Sequence, residues 1–152
     1  MYVLKPGIKQ DAQRRWALPD RIFFGHGACH ILAGVYLERP PLLGFHAERI
    51  LPVGSARGSH VYLTDGSVAF DYHGYSVRRR LLDHHRKSCS RQYPGWDCVT
   101  EQVDFDLLST VELNRRNMRG PDQFLSDAAV RARAYLHRID HTAAVAKLAT
   151  FV

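Results

Sequence analysis

The sequence is short of several things, and each shortage excludes a class of protein. No apolar run in its 152 residues approaches the roughly 20 that cross a bilayer. The opening stretch, MYVLKPGIKQDAQRR, lacks the apolar segment of a secretory signal, which points to the cytoplasm and stays compatible with a non-classical export route. Cysteine is scarce. Cys29, Cys89 and Cys98 are odd in number and irregular in spacing, so they build no disulfide framework, and the one bridge left open is Cys89 to Cys98. Paired Cys-x-x-Cys and His-Glu-x-x-His motifs are missing. So are zinc-finger spacing, the aromatic motifs of RNA binders and a helix-turn-helix pattern. There is no internal repeat, no low-complexity segment and no linker. Residues 1–152 therefore read as one domain, with 1–20 as an irregular arm broken by Pro6-Gly7 and Pro19 and carrying a short helix around 10–16.

What is present is an ordinary soluble composition, 45% hydrophobic and 24% charged, with a net charge of +6 and a sequence pI near 9.5. Much of the positive charge lies in VRRRLLDHHRKSCSR, residues 77–91. Such a run can be a solvated helix face, can bind phosphates through counterion release, or can steer an acidic substrate. Ile31, Leu32, Val35 and Tyr36 fall at helical spacing within 28–38, entered from Gly25 and Gly27 and stopped by Pro40-Pro41. Strands are expected in HAERILPVG and CVTEQVDFD, and helices over 77–87 and 107–117. A long C-terminal helix is expected in PDQFLSDAAVRARAYLHRI, where Phe124, Leu125, Ala128, Ala132, Tyr135, Leu136 and Ile139 form a stripe. His137 and His141 then read as surface residues at its end. The fold class is α+β: an N-terminal core helix on a small antiparallel sheet, with the long C-terminal helix outside.

The segment GSHVYLTDGSVAFDYHG, residues 58–74, reads as a hairpin turning at Asp65-Gly66. A two-residue type I′ turn needs positive φ at both positions. It pairs Thr64 with Ser67, Leu63 with Val68, Tyr62 with Ala69, Val61 with Phe70 and His60 with Asp71. Alternation places Val61, Leu63, Val68 and Phe70 on a core face and His60, Tyr62, Ala69 and Asp71 on the other. Directly opposed β-carbons lie about 4.5–5.5 Å apart, near enough for a carboxylate to orient an imidazole. A turn of three or four residues would shift the register and break that pairing.

An oriented imidazole can serve a nucleophile. Cys29 stands just after glycines, in the first turn of the expected helix, where free N–H groups and the helix dipole favour a thiolate. The same terminus offers an N–H to an oxyanion. Cys29, His60 and Asp71, in that chain order, resemble the papain-like fold in its broad sense, which includes NlpC-type cell-wall peptidases, transglutaminase-like proteins and arylamine N-acetyltransferases. The resemblance covers residues 25–38 and 58–74. It implies a cysteine-dependent hydrolase or acyltransferase acting on a peptide, protein or small amide or ester, or deamidating glutamine, without a cofactor. The sequence departs from named subfamilies: Phe23 stands where papain has its oxyanion glutamine, His30 follows the cysteine where papain has tryptophan, and Ala28-Cys29-His30-Ile31 replaces the Asp-Cys-Ser-Gly of the NlpC type. His26 and Arg21 are then candidates for the second oxyanion donor, and Tyr62 and His73 for the cleft wall.

Two other readings use the same residues. His26, Cys29 and His30, or His84, His85 and Cys89, could ligate zinc. Alternatively, the basic segment could make the chain a noncatalytic binder of nucleic acid or of an acidic partner. Trp16 and Trp96 read as packing residues.

Overall fold

Helix α3 (Cys29–Glu38) forms where the apolar spacing predicts it, after two shorter helices, α1 (Ala12–Trp16) and α2 (Asp20–Gly25). The computed structural model describes residues 4–151. The remaining helices are α4 (Arg78–Gln92), α5 (Thr110–Asn114), α6 (Ala128–His137) and α7 (His141–Leu148). The strands β1 (His46–Pro52), β2 (His60–Thr64), β3 (Val68–Asp71), β4 (Gly74–Val77) and β5 (Cys98–Gln102) form one antiparallel sheet in the order β4-β3-β2-β1-β5. The class is α+β.

Ile31, Leu32, Val35 and Tyr36 are buried as their spacing requires, and His30, Ala33 and Gly34 are buried with them. The helix is enclosed because the sheet covers one side and α6 another. Val61, Leu63 and Phe70 pack towards α3 in the larger of two apolar clusters. Tyr62 and Ala69, on the opposite face, join Ile50, Cys89 and Trp96 in the smaller one, beneath α4. Strand β2 is therefore buried at all five positions.

The hairpin differs from the two-residue turn. The ladder pairs Leu63 with Phe70 and Thr64 with Ala69, so the loop holds four residues, 65–68. Gly66 takes a φ of 102°, but Asp65 stays out of the positive region that a type I′ turn demands. Side chains hold the wider loop: Asp65 Oδ1 accepts from the N–H groups of Ser67 and Val68, and Thr64 Oγ1 donates to the Val68 carbonyl. The register has moved by two residues. An even shift keeps every side chain on its face, so the expected face assignment stands although the pairing does not.

Of the long helix expected over 121–139 only α6 forms: residues 121–127 are irregular, and α7 lies beyond the expected range. Asp127 accepts from the N–H groups of Ala129 and Val130, which starts α6 at Ala128, and Asp140 caps α7 in the same way. Leu125 is left exposed. His141 is no surface residue: it donates from Nε2 to the Leu136 carbonyl and accepts from the Tyr75 hydroxyl at Nδ1, 2.7 Å away. The segment read as an irregular arm contains α1 and a 3-10 turn (Ile8–Gln10), and it buries Ile8 and Arg15. Strand β4, the second half of a tight hairpin through Tyr72-His73, is a further element.

Gly34 is required by packing. A β-carbon there would lie 2.9 Å from Leu108 and 3.0 Å from the Leu107 β-carbon. Alanine normally gains about 1 kcal/mol over glycine inside a helix, but overpacking costs roughly 1–3 kcal/mol. Gly34→Ala is expected to lower the urea unfolding midpoint, by about 1 kcal/mol in stability. A raised midpoint would show that the 107–108 segment yields.

Candidate active site

Three chain segments meet at one end of the sheet: the start of α3, the start of β2 and the end of β3. The turn that delivers Cys29 is held by a buried arginine. Arg15 Nη2 donates to the His26 carbonyl at 3.3 Å, and a β-carbon on Gly27 (φ 99°) would fall 2.2 Å from that nitrogen. Cys29 follows as the first residue of α3, whose opening amides lack intrahelical acceptors. Its sulfur accepts from the Val61 N–H at 3.5 Å. A narrow crevice beside it is walled by Leu32, Ala33, Leu63 and Phe70, with Asp71 and Tyr72 at its border.

His60 and Asp71 meet, although not as directly opposed partners. His60 Nε2 lies 2.9 Å from Asp71 Oδ2, both side chains being about 95% buried. In the observed register they are diagonal neighbours, a separation that an imidazole can bridge. Asp71 Oδ1 accepts from the His73 N–H at 2.9 Å, which fixes the carboxylate. An ionised carboxylate only accepts, so His60 Nε2 carries a proton. Cys29 and His60 are near enough for each to influence the other's protonation.

The electrostatics follow from this chain of contacts. Burial alone would raise the Cys29 thiol, but hydrogen bonds from His30 and His60 and their charge outweigh it and hold the thiol well below its ordinary range. Burial likewise opposes charge on His60, and the hydrogen bonds to Asp71 and Cys29 override it, lifting the imidazole well above its usual value. Asp71, despite its burial, is held below the ordinary carboxylate range by His60 and His73. All three directions favour the charged forms: thiolate, imidazolium and carboxylate. By contrast, burial pushes the Cys89 and Cys98 thiols up. All three cysteines are free, so the Cys89–Cys98 bridge is not formed.

The expected accessory residues divide. His73 borders a pocket of about 250 Å³ that is lined by His60 and Asp71 and does not include Cys29. Tyr62 does not: its ring stacks loosely on His60, 6.5 Å between centroids, and its hydroxyl donates to Glu48, which Arg78 also holds at 2.7 Å. Strand alternation puts Tyr62 on the right face, but the ion pair draws it beneath α4. Arg21 is exposed on α2, and His26 is half-buried and gives its carbonyl to Arg15.

Four neighbours lie outside the expected set. His30 is buried beside the sulfur, with Nε2 2.6 Å from the Arg119 carbonyl. His85 lies parallel to His60, 5.5 Å between ring centroids, and donates from Nε2 to the Gly58 carbonyl at 2.6 Å. Burial and the His60 charge lower its pKa to about 4, so it stays neutral. Tyr72 borders both the pocket and the sulfur crevice, edge-on to His60. Arg80 stands on the first turn of α4 at the pocket wall. Adjacency to Cys29 was a usable signal for His30, whereas the others sit there only through the packing of α4 and β4.

Among the described residues no group of three or more His, Cys, Asp or Glu side chains is arranged to hold a metal ion. The two histidine-cysteine groups suspected of binding zinc are divided, His30 bonding to the Arg119 carbonyl and His85 to the Gly58 carbonyl. Basic residues of 77–91 are partly neutralised at home, Arg78 by Glu48, Arg79 by Asp83 and Arg86 by Asp97. No protein-family model, curated protein or solved structure matches the chain. Among the described residues no helix is long and apolar enough to cross a membrane.

The pairing makes a pH prediction. The folded pKa of Asp71 is depressed, so its stabilising contribution is present above about pH 4 and is lost as pH falls through the folded value. That of His60 is raised, so its contribution is complete below about pH 6.5 and is lost as pH rises through the folded value. In Asp71→Asn both limbs should shrink. His60 should titrate at lower pH by imidazole NMR, and the chain should lose about 2 kcal/mol at neutral pH. An unchanged His60 titration would mean that Cys29 alone sustains the imidazolium.

Proposed function

We propose that the chain is a cysteine-dependent hydrolase or acyltransferase of papain-like type, with Cys29 as nucleophile, His60 as its proton partner and Asp71 as the group that orients His60. What supports this reading is the buried His60–Asp71 hydrogen bond of 2.9 Å beside a cysteine whose thiol is lowered, against its burial, by His30 and His60. A structural cysteine needs no such partners. A thiolate beside an imidazolium is the reactive state of a thiol nucleophile.

In the reaction this supports, the Cys29 thiolate attacks the carbonyl carbon of an amide or ester. A carbon–sulfur bond forms, and the carbonyl π electrons move to oxygen, where the Cys29 N–H at the start of α3 can meet the charge. His60 gives its proton to the leaving nitrogen or oxygen as that bond breaks. The thioester remains. His60, now neutral, takes a proton from water or from an acceptor amine, which attacks the thioester and releases the acyl group. Glutamine deamidation would run through the same steps with ammonia leaving.

Thiol alkylation tests the reading. With iodoacetamide at about pH 6.5, Cys29 is expected to react well ahead of Cys89 and Cys98. His60→Ala should slow Cys29 labelling by about 100-fold. Hydrolysis of a p-nitrophenyl ester should disappear in Cys29→Ala. Equal labelling of all three cysteines, or Cys29 labelling indifferent to His60→Ala, would overturn the assignment.

A further inference from the structure

The pocket beyond His60 has its own chemistry. It measures about 250 Å³, just below the roughly 300–1,000 Å³ of pockets for drug-sized ligands, so its occupant is small. Arg80, His73 and His84 stand at its exposed side, Leu81 and Tyr72 give it an apolar wall, and Asp71 lies at its inner end.

Charge accounting gives the sign of the ligand. Helix α4 opens with Arg78, Arg79 and Arg80 and has no acidic residue in its first turn and no side-chain cap. Cations at that end oppose the helix dipole. Arg78 is offset by Glu48 and Arg79 by Asp83, but Arg80 has no ion-pair partner among the described residues. His60 and Asp71 offset each other, His73 Nδ1 lies 3.6 Å from the other Asp71 oxygen, and His85 is committed to the Gly58 carbonyl. One positive charge on the pocket wall is therefore unmatched. A dianion such as phosphate would meet a single guanidinium and the Asp71 carboxylate behind it. A monoanion with a short apolar stem meets Arg80 with its charged end and Leu81 and Tyr72 with its stem.

We infer that this pocket binds a small monocarboxylate, Arg80 being its charged anchor. As an extension that rests on the function proposed above, the substrate acted on at Cys29 carries that carboxylate, held in the pocket that His60 and Asp71 line.

Binding can be measured without the thiol. In Cys29→Ala protein, butyrate is expected to shift the imidazole NMR signals of His73 and His84 saturably, whereas butyramide, its neutral counterpart, should not. Arg80→Gln, a change at an exposed position, should weaken butyrate about tenfold, the weight of one hydrogen bond to a charged group. Equal binding of butyramide, tighter binding of inorganic phosphate, or no effect of Arg80→Gln would overturn the carboxylate site whatever the chemistry of Cys29. In the wild-type chain, saturating butyrate should slow alkylation of Cys29. Binding without protection would overturn the link to the thiol while leaving the alkylation result in His60→Ala to judge the function by itself.

Discussion

A buried imidazole hydrogen-bonded to a buried carboxylate, with a thiol near it, is the constraint around which this end of the molecule is built. None of the three groups could carry charge alone at such depth, because taking an isolated ion out of water costs several kcal/mol. Together they are sustained, and their surroundings favour the remaining negative charge. The Val61 N–H points at the sulfur, and α3 begins there. The Asp71 carboxylate is fixed by the His73 N–H. Each support comes from backbone or from a side chain set in a regular element, so the geometry is held by the fold.

The same imidazole divides two environments. On the sulfur side the crevice is narrow and walled largely by apolar side chains, which strengthens the charge interactions at its border. On the other side a wider pocket opens between the sheet and α4. Tyr72 borders both, and Gly25 makes room for it: a β-carbon at that position would come within 3.0 Å of the tyrosine ring. Helix α4 contributes in two ways. Arg78 and Arg86 are consumed in ion pairs that bind the helix to the sheet and to the segment before β5, whereas Arg80 is left facing the pocket. A basic segment that reads as one patch along the chain is thus split by packing into structural and available charges.

Much of the site was legible in advance because strand alternation is insensitive to even shifts of register. Val61, Leu63 and Phe70 face α3, and His60, Tyr62, Ala69 and Asp71 face the other way, with either turn. Turn length was not legible. Asp-Gly favours a two-residue turn, but Thr64 and Asp65 have side chains that bond the loop backbone, and those bonds stabilise the four-residue loop. The C-terminal stripe misled for a related reason: apolar spacing continues through residues that a cap can still divide, and Asp127 starts the helix where its carboxylate finds free N–H groups.

By itself the sequence determined the α+β class, the buried character of the Cys29 helix, the faces of the hairpin and the presence of a thiol, an imidazole and a carboxylate in that chain order. These follow from periodicity and residue chemistry, which are local. Only the tertiary structure decided that His60 reaches Asp71 diagonally, that Tyr62 turns away to Glu48, and that His30, His85 and Arg80 gather around the same ring. Those outcomes depend on how α4, β4 and the α2–α3 turn pack against the sheet, and contacts between segments far apart along the chain leave no periodic trace in it.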